Sequence, residues 1–187
     1  MKKIAEVVPD ALVISGDISG SGDLARITDI LNGIKHPVLF VPGNMDPMAF
    51  TEAVSKGHGK CQNLSGRRIL VSGIGFVGIG AQISGFLGDV SDLERVMEPS
   101  DILVSHFPPY GFNDRAHDGE HIGSTALLEV VKRVRPRLVL TGHVHESPGL
   151  MRSGGTVYVN PGPAFQERCA VIDVPEDGDV LVELFSG

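Results

Sequence analysis

Four short apolar runs, each ending in a small or polar residue and then a side chain able to donate a lone pair, constrain this chain more than any other feature. Ala11-Leu12-Val13-Ile14 stops at Ser15-Gly16-Asp17, and Val38-Leu39-Phe40-Val41 stops at Pro42-Gly43-Asn44. Ile102-Leu103-Val104 stops at Ser105-His106, and Leu138-Val139-Leu140 runs into Thr141-Gly142-His143-Val144-His145. Runs this short and this uniformly apolar read as strands covered on both faces. Between them lie helical periods: Leu24, Ile27, Ile30 and Leu31 behind a capping Asp23, then residues 92–97, then residues 125–134. Strand alternating with helix implies a mostly parallel sheet.

Elsewhere the pattern changes. Residues 68–71, 76–79, 156–159, 170–174 and 180–184 read as short strands joined by Gly, Pro and Asp turns, with no helix between them, and predict a second, antiparallel layer. The expected fold is α/β, a two-sheet mixed β-sandwich flanked by helices in four layers, α/β/β/α. Residues 2–8 read as the end of a helix broken by Pro9. Gly73-Ile74-Gly75-Phe76-Val77-Gly78 fits G-x-G-x-x-G, but that fingerprint needs a helix after it, and Gly80, Gly85 and Gly88 argue for a hairpin instead.

With 187 residues and no low-complexity linker, the chain is expected to form a single domain, 1–187. Its 42% hydrophobic and 21% charged residues are those of an ordinary globular protein. A net charge of −7 and the lack of a basic track argue against a nucleic-acid partner. The basic stretch at 132–137 falls where a helix would end, a position that favours cations. Cys61 and Cys169 show no C-x-x-C spacing, and the sequence carries neither a signal-peptide pattern nor an 18-residue apolar run. A cytoplasmic location without membrane association is therefore expected. Phe107 to Gly123 is too long for a simple connection, and loops of that length usually serve function.

Ligand sites in open α/β sheets lie beyond the carboxyl ends of the strands, so Asp17, Asn44, His106, His143 and His145 are expected to converge. Imidazole nitrogens together with carboxylate and amide oxygens suit manganese, iron, zinc or nickel. Asp17 is the natural bridge between two ions. Two such ions about 3.5 to 4 Å apart can activate a water and neutralise charge during in-line attack on phosphorus.

The set GD at 16–17, GNMD at 43–46, SH at 105–106 and GHVH at 142–145 resembles the calcineurin-like metallophosphoesterase family over residues 10–162. Asn160-Pro161-Gly162 and the segment at 119–124 look like the compact prokaryotic members. The resemblance implies a metal-dependent phosphoric ester hydrolase, a phosphodiesterase or phosphomonoesterase of small molecules that uses a metal-activated hydroxide. It implies Asp17 as bridge, Asn44, His106 and His143 at one metal position, and His145 at the other. Manganese is the first expectation for the cofactor, with two ions in the full family site and one here as the alternative. A homo-oligomer is compatible with all of this.

The sequence departs from the family in two places. The D-x-H block that precedes GD is missing, since there is no histidine before His36 and no aspartate before Asp10. The first strand is therefore expected to be absent, and the chain to be an N-terminally shortened form. Met45 stands where the family often has a proton-donating histidine, and a thioether has no proton to give. The candidate catalytic residues are thus Asn44, Asp46 and His121, with His117 as an alternative proton source. A competing expectation is a non-catalytic binding or scaffold protein on the same fold. Nuclease action is a weaker third.

Overall fold

The computed structural model describes residues 7–20, 22–56, 60–81, 90–99 and 101–187. Of the helix expected at residues 2–8, residues 2–6 lie outside the described residues, and Val7 and Val8 are not helical. The chain opens with β1 (Leu12–Ile14), α1 (Leu24–Gly33), β2 (Val38–Phe40), α2 (Met48–Lys56) and β3 (Cys61–Asn63). These strands form a parallel sheet in the order β1-β2-β3. Asp23 caps α1 as its position predicts, its carboxylate accepting from Ala25 N at 3.0 Å and Arg26 N at 3.3 Å.

A second sheet follows from β4 (Arg68–Val71), β5 (Ile74–Ile79), α3 (Leu93–Val96), β6 (Ile102–Ser105), α4 (Thr125–Val134), β7 (Leu138–Leu140), β8 (Gly149–Ser153) and β9 (Thr156–Asn160). Its six strands lie in the order β4-β5-β6-β7-β9-β8. Here the expectation of a separate antiparallel layer fails. β5 and β9 run parallel to β6 and β7, and only the flanking β4 and β8 are antiparallel to their neighbours. The reason is burial on both faces. Val77 packs against the helices while Phe76 packs between the sheets, and on β9 Tyr158 and Val159 divide the same way. A strand covered twice belongs inside a parallel sheet. β10 (Cys169–Asp173) and β11 (Leu181–Phe185) do form the expected antiparallel pair.

Ser72 and Gly73, with φ of 49° and 83°, make the two-residue turn from β4 to β5, so the glycine-rich segment is the hairpin its composition predicts. The β8–β9 turn at Gly154 and Gly155, φ 59° and 85°, is built the same way.

Three apolar clusters define the expected four layers. Leu31, Val38, Phe40, Phe50 and Val54 join α1 and α2 to the outer face of the small sheet. Leu39, Val41 and Leu64 meet Phe76, Ile102, Val104, Leu138, Leu140, Val157 and Val159 between the sheets, with Ala170, Ile172, Val174 and Val182 of the β10–β11 region packed against them. Val77, Leu103, Leu127, Val130, Val131, Val139 and Tyr158 join the large sheet to α3 and α4. Backbone bonds link the two sheets directly, from Gly66 N to Gly78 O at 3.0 Å and from Gly78 N to Leu64 O at 3.2 Å.

Polar pins hold the far end. Asp101, fully buried at the start of β6, accepts a two-pronged contact from Arg68 at 2.8 Å on each oxygen. Arg137 donates to the carbonyls of Pro175 and Gly178, and Arg152 to that of Val180, tying the loop between β10 and β11 to the large sheet. Among the described residues no helix is long and apolar enough to cross a membrane.

Leu127 is wholly buried on α4. Leu127→Ala should lower unfolding free energy by about 2–5 kcal/mol in urea titrations, with little change in slope.

Candidate metal centre

The carboxyl ends of β1 and β2 in one sheet and of β6 and β7 in the other carry the donor residues. Two of the donors sit on sharp turns. Gly16 and Asp17 have φ of 94° and 55°, and His143 has φ of 62°, so two donors hold the left-handed conformation that L-residues other than Asn and Asp seldom adopt. The glycines matter through their lack of a side chain. A Cβ on Gly16 would collide with His106 Nδ1 and the backbone of Gly43, and one on Gly43 would collide with the Asp17 carboxylate. Bringing these loops together requires glycine at both places.

Asp17, His106 and His143 present ligand atoms that all lie within 4.8 Å of one another. The Asn44 amide oxygen stands between the two rings, 2.8 Å from His106 Nε2 and 3.1 Å from His143 Nδ1. Asp17 Oδ2 is 3.5 Å from His106 Nε2, while its Oδ1 accepts from Met45 N at 2.8 Å. The rings of His106 and His143 lie 5.0 Å apart, and Phe107 covers both, 4.2 Å from His143 and 5.2 Å from His106.

The tautomer of His106 follows from its other nitrogen. Nδ1 is 2.8 Å from the carbonyl oxygen of Ser15, which can only accept, so Nδ1 carries the proton. A neutral His106 therefore turns a bare lone pair at Nε2 toward an amide oxygen and a carboxylate oxygen. Acceptors this close oppose one another unless a proton or a metal ion lies between them. The second-nitrogen bond to a carbonyl is the usual way a ligating histidine is oriented. Burial pushes the His143 pKa down, and the nearby His106 adds to this against the opposing pull of Asp17, which favours the neutral, coordinating ring. The residues fit a borderline divalent ion by donor chemistry and by orientation.

Four of the five expected metal residues thus come together: Asp17, Asn44, His106 and His143. His145 lies outside this cluster, exposed, its ring edge-on to Phe165 at 5.4 Å. Asp46 is 8% exposed, and its two oxygens accept from Ser19 N and Gly43 N at 2.8 Å each, so it locks the two donor loops together. Met45 is 57% exposed beside Asn44. His121 lies in the long loop, its Nδ1 2.6 Å from Asp114 Oδ1.

Sequence reasoning missed three supports. The Ser15 carbonyl leaves no signal in a sequence. Asn160 is buried and donates to Val144 O at 2.8 Å and Ser147 O at 3.2 Å, which fixes the turn that carries His143. Its place at the end of an apolar strand and before Pro161-Gly162 was the available clue. Asp114, lying among glycines at 111, 119 and 123, offered a fainter one.

A sequence model of the family described as calcineurin-like phosphoesterase matches residues 1–147. Human "Metallophosphoesterase domain-containing protein 1" is 37% identical over 91 residues, covering 48% of this chain and 26% of that protein, so the chain spans only about a quarter of that relative. An uncharacterised protein of Methanocaldococcus jannaschii is 28% identical over 182 residues, covering 82% of this chain and 78% of that protein. A Fibrobacter succinogenes protein described as a "Probable cyclic nucleotide phosphodiesterase" is 29% identical over 175 residues, covering 84% of this chain and 66% of that protein. A solved crystal structure superposes with a TM-score of 0.77 at 20% identity, covering 99% of this chain and 91% of that one, and so shares its fold.

Asp17→Asn keeps an acceptor for Met45 N and tolerates the left-handed backbone, so the variant should melt close to wild type while retaining far less divalent metal, measured by elemental analysis after gel filtration. Gly43→Ala should lose metal as well, because the added methyl displaces the carboxylate.

Proposed function

The chain belongs to the calcineurin-like phosphoesterase family, and from this we propose that it is a metal-dependent phosphoric ester hydrolase acting on a small phosphate ester, preferentially a phosphodiester. The observation that carries the reading is the close grouping of His106 Nε2, Asn44 Oδ1 and the Asp17 carboxylate with the His143 ring, the ligand atoms of Asp17, His106 and His143 lying within 4.8 Å of one another. A divalent ion held there, manganese by preference, supplies positive charge for a phosphoryl group and makes a bound water more acidic. Asp17, Asn44, His106 and His143 would hold that ion, and Asp17 and His145 would serve a second one if two were bound.

The chain's own residues set the surroundings. Asp46 fixes the Asn44 loop by accepting from Gly43 N and Ser19 N, so its part in catalysis is to hold Asn44 in place. Phe107 covers the ligand rings and keeps water from them on one side. Met45 presents an exposed thioether, which suits the single negative charge and organic groups of a diester better than a dianion. The description of the Fibrobacter relative points the same way.

A second reading, a binding or scaffold protein without turnover, draws on the exposed His145, which stands apart from the donor cluster. The two part cleanly in one assay. Purified protein with manganese should hydrolyse bis-p-nitrophenyl phosphate, and His143→Ala should abolish this; metal binding without turnover would favour the scaffold. Met45→His should raise monoester turnover relative to diester turnover, measured as a ratio of kcat/KM values, while bound manganese changes little.

A further inference from the structure

The segment from residue 107 to 123 joins the carboxyl end of β6, where His106 sits, to the amino end of α4. Both of its ends lie on the side of the sheet that carries the metal donors. It also touches the donor loops. Phe107 packs on His143 at 4.2 Å, and His117 N donates to Glu146 Oε1, next to His145, at 3.1 Å.

Inside this segment His121, a candidate proton source in the sequence, is half of a carboxylate–imidazole pair with Asp114. Asp114 is 1% exposed. Its Oδ2 accepts from Gly111 N at 2.8 Å and Gly123 N at 3.1 Å, which leaves Oδ1 for His121 Nδ1 at 2.6 Å. The His121 side chain is 27% exposed, and its ring lies against Tyr110 at 5.1 Å. Its Nδ1–H is committed to Asp114, so proton exchange falls to Nε2, which has no protein partner among the described residues. A buried carboxylate orienting an imidazole whose far nitrogen is free is the arrangement that base and acid catalysis by histidine requires. On the metal-bearing loop, Met45 has no proton to offer.

We propose that His121, oriented by Asp114, protonates the leaving-group oxygen as the phosphate ester is cleaved; this rests on the phosphoesterase reading above. Water oxygen bonds to phosphorus while the phosphorus–oxygen bond to the leaving group breaks, and the departing oxygen takes the proton from His121 Nε2 and leaves as the alcohol. The proton lost by the attacking water passes to solvent, and Nε2 regains one from solvent before the next turnover. His121 is the catalytic residue, and Asp114 is a positioning residue.

Leaving-group dependence separates this from a structural role. Methyl p-nitrophenyl phosphate releases an anion stable without a proton, whereas methyl phenyl phosphate releases a much more basic one. With manganese present, His121→Gln should cut kcat for the phenyl ester by about 10²–10⁴-fold and for the p-nitrophenyl ester by less than about tenfold. Bound manganese and melting temperature should match wild type. Asp114→Asn should shift the same ratio in the same direction by less. Without metal, ring ¹⁵N shifts should show neutral His121 protonated at Nδ1. An equal loss on both esters with metal intact, or the opposite tautomer, overturns the assignment and leaves the phosphoesterase reading standing. If wild type hydrolyses neither ester, both fall.

Discussion

The bond from His106 Nδ1 to the Ser15 carbonyl, 2.8 Å across the gap between the two sheets, is the contact on which the candidate site depends. Its two ends belong to different sheets, so it forms only when the sandwich has closed. Ser15 is placed by β1, whose Ile14 carbonyl accepts from Val41 N, and His106 by β6, whose register with β5 brings His106 N to Ile79 O. Once made, it fixes the ring's rotation and its tautomer together, which sends the remaining lone pair toward Asn44 and Asp17. The interior apolar layer of Leu39, Val41, Val104 and Leu140 is thus what aims the donors. Packing and chemistry are coupled through one carbonyl oxygen.

Much of this could be read from the sequence because the donors follow short runs that are almost wholly apolar. Val38–Phe40 and Ile102–Ser105 are buried at every position, and a run of that kind announces both its element and its two-sided burial. The loops after neighbouring parallel strands share an end, which pairs Asp17 with Asn44 on the small sheet and His106 with His143 on the large one; the meeting of the two pairs depends on how the sheets stack. What the sequence did not reveal is sheet membership. Phe76 to Ile79 and Thr156 to Asn160 look like hairpin strands locally, and only the helices and the small sheet on either side draw them into the parallel order. β8 also went unread, although Gly154-Gly155 signals a tight hairpin, because its own residues are largely exposed. The resemblance assigned His145 to a metal position other than that of His143, and two residues along the turn do separate a half-buried ring from an exposed one.

Two buried aspartates do the same work in different loops. Asp46 gathers Ser19 N and Gly43 N, and Asp114 gathers Gly111 N and Gly123 N, each closing a glycine-bearing loop with charge-assisted bonds. In both cases the carboxylate satisfies backbone donors that would otherwise be left buried and unpaired. Asp101 does something similar at the opposite end, joining Glu98 N to the Arg68 side chain. Loop rigidity in this protein therefore comes from side chains reaching back to the main chain more than from loop length.

The interlocking of Gly16 and Gly43 has a further consequence for anyone who would redesign the centre. Because each glycine is filled by its neighbour's functional atoms, the ligand loops cannot exchange sequence one at a time, and a library that varies positions 16 or 43 would mostly sample broken scaffolds. The adaptable positions are those whose backbone bears no such burden. Asn44 can change charge at constant size, and the exposed side chain of His145 can be replaced without displacing anything beneath it. A redesign of this corner of the fold has its openings at those two positions, set in a frame that tolerates no adjustment.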